Sequence, residues 1–418
     1  MIKLVVNTFA TKAITAVISL AIVMLTTHVL GPVGRGEITL IAADIGIVLL
    51  FIQIIGGPSL VYLVPRANPF HLFICAVIWS FFLPVLLIPF MQLIGIVEHS
   101  FFIPLIYICI VFGLSSTCQL MLLSFEQINA YNILTFVQTT LHFLGLGFLF
   151  LVVKKTDTQS FIWSLGFCYS ITLILGLIIL SKFLKITSLV YFFHTAKEAV
   201  IKGFNLQAGN LIQFLNYRLS LFFLSSQLSN LGLFSISLVF AEAIWLFGSS
   251  LSLVQYSKIS NETNRKESVN ISFKLAKISF WVTLICVLVL SFIPEFLYQM
   301  VFGIGFSGAR YPTLVLCPGI LAIGVAMSFS HYFAGIGNFK LNNIAALIGL
   351  IIKIPACILL VPEYKEIGAA LACTLSYSGS CLYLFYKFSK ETGFTISDMI
   401  LTKQDFANLK ILASKKFI

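Results

Sequence analysis

Apolar runs of 18 residues or more follow one another along almost the whole chain, parted by short stretches that hold glycines, prolines and charges. A run of that length crosses the roughly 30 Å hydrocarbon core as a helix, and lipid offers unsatisfied backbone groups no partner, so the chain is confined to a helical bundle. Membrane barrel strands would instead show about ten residues of alternating polarity. Composition agrees: mean hydropathy is +1.03 and 10% of residues are charged, against about 25% in soluble proteins.

The punctuation divides the chain into twelve predicted helices, at 4–30, 37–64, 70–96, 101–123, 130–153, 160–181, 204–226, 231–255, 276–302, 312–334, 341–361 and 367–388. The breaks carry turn residues: Gly31-Pro32, Pro65 and Pro69, Gly303 with Gly305 and Gly308, and Pro362. The run from Leu4 to Leu30 is too long for the core of a cleaved leader and is expected to stay in the membrane.

A net charge of +11 invites a nucleic-acid reading, yet 23 of the 26 basic residues lie between or at the ends of the apolar runs, with Lys12, Arg218 and Lys353 inside predicted helices. Eighteen fall on the side that holds both ends of the chain and five on the other, which predicts cytoplasmic termini and excludes nucleic acid as a partner. The nine cysteines sit in or beside apolar stretches with no CxxC spacing, as small core residues do; no metal site and no cofactor are expected. No HExxH, GxSxG or P-loop pattern occurs, and no catalytic residue is predicted.

Between the predicted halves, Lys182–Lys202 has Ile186, Leu189, Val190, Phe193 and Val200 at helical spacing with lysines elsewhere, which predicts an amphipathic helix on the inner leaflet. Ser257–Lys274 reads as a solvated loop, and the segment after Phe388 as a weakly structured basic tail. The expected organisation is a first lobe at 1–181, a linker at 182–203, a second lobe at 204–388 and a tail at 389–418.

The lobes echo each other. An offset of 198 places Gly232 on Gly34, Leu238 on Leu40 and Glu242 on Asp44, and an offset of 211 places Lys353 on His142. Two six-helix repeats that cross in the same sense imply an axis along the membrane normal with a central cavity between them.

Ionisable side chains in such spans mark function or buried pairs, because each costs about 3 kcal/mol in hydrocarbon. Asp44 and Glu242 are candidates for facing the cavity and carrying a proton or cation. Arg218 and Lys353, both read as lying near mid-helix, are candidates for meeting an anionic substrate or for closing a buried ion pair. Lys12 fits either the cavity or snorkelling to the surface, and His142 and His331 fit a proton site or a hydrogen-bonded structural role. Tyr217, Trp245 and Tyr332 are candidates for stacking on sugar rings.

Three stretches carry a family resemblance: LGPVGRGEITL at Leu30–Leu40, NYRLSLFFLSSQLSNLGLFSISLVFAEAIW at Asn216–Trp245, and FGIGFSGARYPTLVLCPGI at Phe302–Ile320 followed by AGIGN at Ala334–Asn338. The chain resembles the polysaccharide flippases, the O-antigen and capsule repeat-unit exporters of the multidrug/oligosaccharidyl-lipid/polysaccharide (MOP) superfamily. That resemblance implies an all-α, MATE-like bundle that moves an undecaprenyl-diphosphate-linked oligosaccharide to the outer leaflet of a bacterial inner membrane by alternating access. It also implies coupling to H+ or Na+, and a polysaccharide polymerase and chain-length proteins as partners. Where the family often carries Asp after the Asn-Tyr-Arg-Leu stretch, this chain has Ser220. A MATE-type drug or cation antiporter would share the fold but favour an acidic cavity over Arg218 and Lys353. A membrane polysaccharide polymerase or ligase would need larger external loops than these.

Overall fold

The structure is a computed structural model that describes residues 2–188, 190–260 and 264–400, so the tail beyond residue 400 lies outside the described residues. It is all-helical among those residues: α1 (Ile2–Gly56), α2 (Ser59–Leu63), α3 (Pro69–Leu93), α4 (Phe102–Ser124), α5 (Ile128–Gly147), α6 (Thr158–Leu180), α7 (Phe192–Phe223), α8 (Leu228–Ser260), α9 (Arg265–Ser291), α10 (Glu295–Phe302), α11 (Arg310–Gly335) and α12 (Phe339–Thr392). Nine of these runs, one of them continuing through α2, are long and apolar enough to cross a membrane.

The first and last runs are each 54 residues long; at 1.5 Å per residue that is about 80 Å, more than twice the hydrocarbon thickness. Each folds at one residue. In α1 the break is Gly31, at φ 65 and ψ −170, a conformation that glycine alone adopts freely. Pro32 then opens the second arm, where its missing N–H costs nothing. In α12 the break is Lys365, at φ 49 and ψ −124, three residues beyond Pro362. The fold brings Gly368 so close to its own helix that a Cβ there would lie 2.2 Å from the Leu360 carbonyl oxygen.

Three expectations change. The linker is irregular from Leu184 to Ser188, and helix starts at Phe192 and runs without a break into α7, because nothing between Phe192 and Phe223 interrupts it. The loop read at Ser257–Lys274 is mostly helix: α8 continues to Ser260 and α9 starts at Arg265, where the Asn264 side chain accepts from Lys266 N at 3.0 Å and Glu267 sits in the first turn. Polar helix ends extend past hydrocarbon at no cost, so hydropathy alone cuts them short. The described part of the tail is docked: Gly393 caps α12 at φ 77, Phe394 is fully buried, and Trp281 Nε1 donates to the Met399 carbonyl at 2.8 Å.

The chain separates into two compact units. One takes residues up to Ser235 with Phe296–Ser307, and the other takes Ile236–Glu295 with residues from Gly308 onward. In the first, Ile45, Val48 and Ile52 of α1 pack with Ile88 and Met91 of α3 and Leu105, Ile108 and Cys109 of α4. Leu72, Met121, Leu134 and Leu180 form a second cluster beneath α2. In the second, Phe329, Phe333, Phe388 and Phe394 close around Tyr332, whose hydroxyl donates to Glu391 at 3.3 Å. Tyr332 is therefore a packing residue and presents no ring for stacking. All nine cysteines are free, and seven of them are buried.

Candidate functional site

Asp44 lies twelve residues into the second arm of α1, with its side chain turned into the core of the first unit. It is 6% exposed and faces a small space lined by Val48, Ile88, Met91, Leu105 and Cys109. Its Oδ1 has no hydrogen-bond partner among the described residues. A carboxylate so placed costs several kcal/mol unless something neutralises it. Glu242, its counterpart in the sequence echo, is exposed on α8. The two acids are thus not equivalent, because neighbouring helices close over one position and leave the other open.

Lys353 sits mid-way along the first arm of α12 and is fully buried in the second unit. Its Nζ lies 3.1 Å from Cys373 Sγ and 5.5 Å from the centre of the Tyr377 ring, which in turn meets Trp245 edge-on at 5.7 Å. The second arm of α12 supplies both Cys373 and Tyr377, so the fold at Lys365 builds the lysine's surroundings. Sequence reasoning named Lys353 and Trp245 but missed Tyr377 and the role of Cys373; the i, i+4 spacing of those two residues was the available signal.

Arg218 and its neighbour Tyr217 are half-buried on α7. The helix ends at Phe223 and not at the expected 226, so Arg218 lies five residues, about 8 Å, from that end. His142 is buried, with Nδ1 3.1 Å from Ser164 Oγ. Ser164 spends its own proton on the His142 carbonyl at 3.0 Å, so Nδ1–H is the donor and Nε2 is left bare against Phe161, the ring centroids 5.0 Å apart. That pairing pins α5 to α6. His331 Nδ1 similarly bonds the Met327 carbonyl one turn back, at 2.8 Å. Lys12 is exposed on the first arm of α1. Asp44 and Lys353 therefore stand in separate units, each buried.

No family model matches the chain. A capsular polysaccharide biosynthesis protein, CapF of Staphylococcus aureus, is 26% identical over 162 residues, covering 38% of this chain and 41% of that protein, so the match spans less than half of the relative's length. Among solved structures, the lipid II flippase MurJ in an inward closed conformation has a TM-score of 0.74 at 18% identity, covering 100% of this chain and 94% of its own. An inward-facing multidrug resistance MATE family transporter has a TM-score of 0.69 at 13% identity, covering 91% and 94%. A MOP superfamily transporter from Pyrococcus furiosus, described by the reverse polarity of its binding pocket, has 0.60 at 13% identity, covering 93% of each chain. The fold is that of the MOP-superfamily transporters and flippases, a multi-pass, MATE-like helical membrane bundle.

Proposed function

We propose that this chain moves undecaprenyl-diphosphate-linked oligosaccharide repeat units across a bacterial inner membrane, by alternating access, for O-antigen or capsular polysaccharide synthesis. The observation that carries the reading is Lys353, a cation with no exposed surface in the middle of a membrane-long helix. Holding such a charge in the bundle has a function when the cargo is an anion, and a diphosphate that must pass hydrocarbon is such a cargo. The full-length likeness to a lipid II flippase and the partial likeness to a capsule protein support the same substrate class.

In this reading the two arms of α1, the two arms of α12, and α3 to α9 with α11 make twelve crossings with both termini in the cytoplasm. Asp44 takes the coupling H+ or Na+. Asp44 also favours a second reading, a MATE-type drug or cation antiporter, because an acid with a bare oxygen suits a cationic cargo. Loss of the gene separates the two. A flippase mutant accumulates lipid-linked oligosaccharide on the inner leaflet and loses surface polysaccharide; an antiporter mutant keeps its polysaccharide and becomes drug-sensitive.

A further inference from the structure

The three stretches that mark the sequence meet at one place in the first unit. A Cβ built on Gly36 of α1 would lie 2.0 Å from the carbonyl oxygen of Leu228, and one on Gly232 of α8 would lie 2.0 Å from the carbonyl oxygen of Pro32. The contact is reciprocal. The second arm of α1 and the helix α8 each offer the carbonyl of their first residue and, four residues on, a glycine that receives the other's carbonyl. Neither glycine has positive φ, so glycine is needed here for space and not for backbone conformation.

The third stretch backs the crossing. Gly305 packs on the Pro32 ring, with its built Cβ 3.1 Å from Cγ, and Gly303 packs on His28 at 3.3 Å; both of these glycines do have positive φ. Arg35 Nε donates to Ser235 Oγ across the crossing at 3.2 Å. By the sequence echo, Leu228–Ser235 and Phe296–Ser307 belong to the second half of the chain, yet they cluster with first-half helices at this end.

We infer that the crossing of Pro32–Gly36 with Leu228–Gly232 is the outer closure of the translocation path, a seal of backbone on backbone that parts once in each transport cycle. The inference rests on the transport reading above and on the charge bias, which sets this end outside. Small residues let helices approach until only weak Cα–H contacts to carbonyl oxygens and dispersion join them. The closest approach is backbone on backbone at the two glycines, and the Arg35–Ser235 bond is a polar tie across it.

The test uses the whole chain in intact cells with its nine cysteines retained. Leu40→Cys, one turn inward of Gly36 and half-buried, reports opening by its labelling rate with a membrane-impermeant maleimide. Adding Gly36→Ala or Gly232→Ala should raise that rate roughly tenfold by shifting the opening equilibrium. Gly147→Ala, where a Cβ would meet nothing within 4 Å, should leave it unchanged. If the two alanine variants fail to accumulate, Ser235→Ala decides, since removing one hydroxyl should still speed labelling about threefold. Unchanged labelling in the variants that accumulate overturns the inference. Labelling needs no cargo, so faster labelling without oligosaccharide transport keeps the seal and rejects the transport reading, whereas unchanged labelling with normal transport does the reverse.

Discussion

The ammonium of Lys353 lies 3.1 Å from the sulfur of Cys373, and both side chains are fully buried on opposite arms of α12. The contact exists because α12 doubles back at Lys365. If Lys353 is kept for an anionic cargo, its charge should matter more to transport than to folding. Lys353→Met, which keeps volume and removes charge, should accumulate with stability within about 1 kcal/mol of the parent and lower export at least tenfold. Lys353→Glu should fail in both respects. Export of surface polysaccharide at matched membrane protein levels is the measurement, and normal export by Lys353→Met assigns the lysine to structure.

Asp44→Asn keeps the shape of a buried side chain and removes its ionisable group. Since Asp44 Oδ1 has no hydrogen-bond partner among the described residues and the surroundings are apolar, the variant should unfold no more readily than the parent, and by about 1 kcal/mol less readily if the charged form is populated. Transport driven by an imposed proton or sodium gradient should be lost, and gradient-independent equilibration of cargo should persist. Gradient-driven transport at the parental rate in Asp44→Asn would remove this residue from coupling.

Lys365 holds a left-handed conformation that an L side chain adopts only under strain. Lys365→Gly relieves the strain but adds freedom to the unfolded chain, so the net gain should be about 1 kcal/mol. A rise in the thermal unfolding midpoint of the detergent-solubilised protein checks it. A fall would show that the lysine side chain, and not the bend, holds the two arms.

Phe394 fills the aromatic cluster at the end of the second unit, 4.6 Å from Phe273 and 5.3 Å from Phe388 between ring centroids. Phe394→Ala should cost about 3 to 5 kcal/mol, the loss expected for a buried phenylalanine. Ile396→Ala, at an exposed position two residues on, should cost under about 0.5 kcal/mol. Thermal unfolding of both variants separates a docked segment from a dispensable tail.

The helical membrane class was legible because hydrophobic runs and turn residues are local signals. Gly31-Pro32 announced the break in α1, and Pro362 placed the break in α12 within three residues of Lys365. Phe394 gave no warning, since one phenylalanine in a polar segment has no periodicity, and its burial depends on Phe273 and Phe329, far away in sequence. The site was legible as residue types only. Hydropathy finds a charge in an apolar run but cannot tell which face of the helix neighbours will cover, so Asp44 and Glu242 looked alike while one is buried and the other exposed. Arg218 lies nearer a helix end than expected because α7 stops at Phe223 and not at 226, a boundary that hydropathy does not mark.

The central claim, that this chain carries a lipid-linked, diphosphate-bearing oligosaccharide across a bilayer, is tested most directly in proteoliposomes. Purified protein is reconstituted with a fluorescent undecaprenyl-diphosphate oligosaccharide, and a quencher or glycosidase that cannot cross the bilayer reports which leaflet the sugar occupies. The account predicts passage between leaflets that depends on the protein, is reduced at least tenfold in Lys353→Met, and is not inhibited by hydrophobic cationic drugs. Passage no faster than in protein-free vesicles, together with drug uptake by the same preparation, would contradict it.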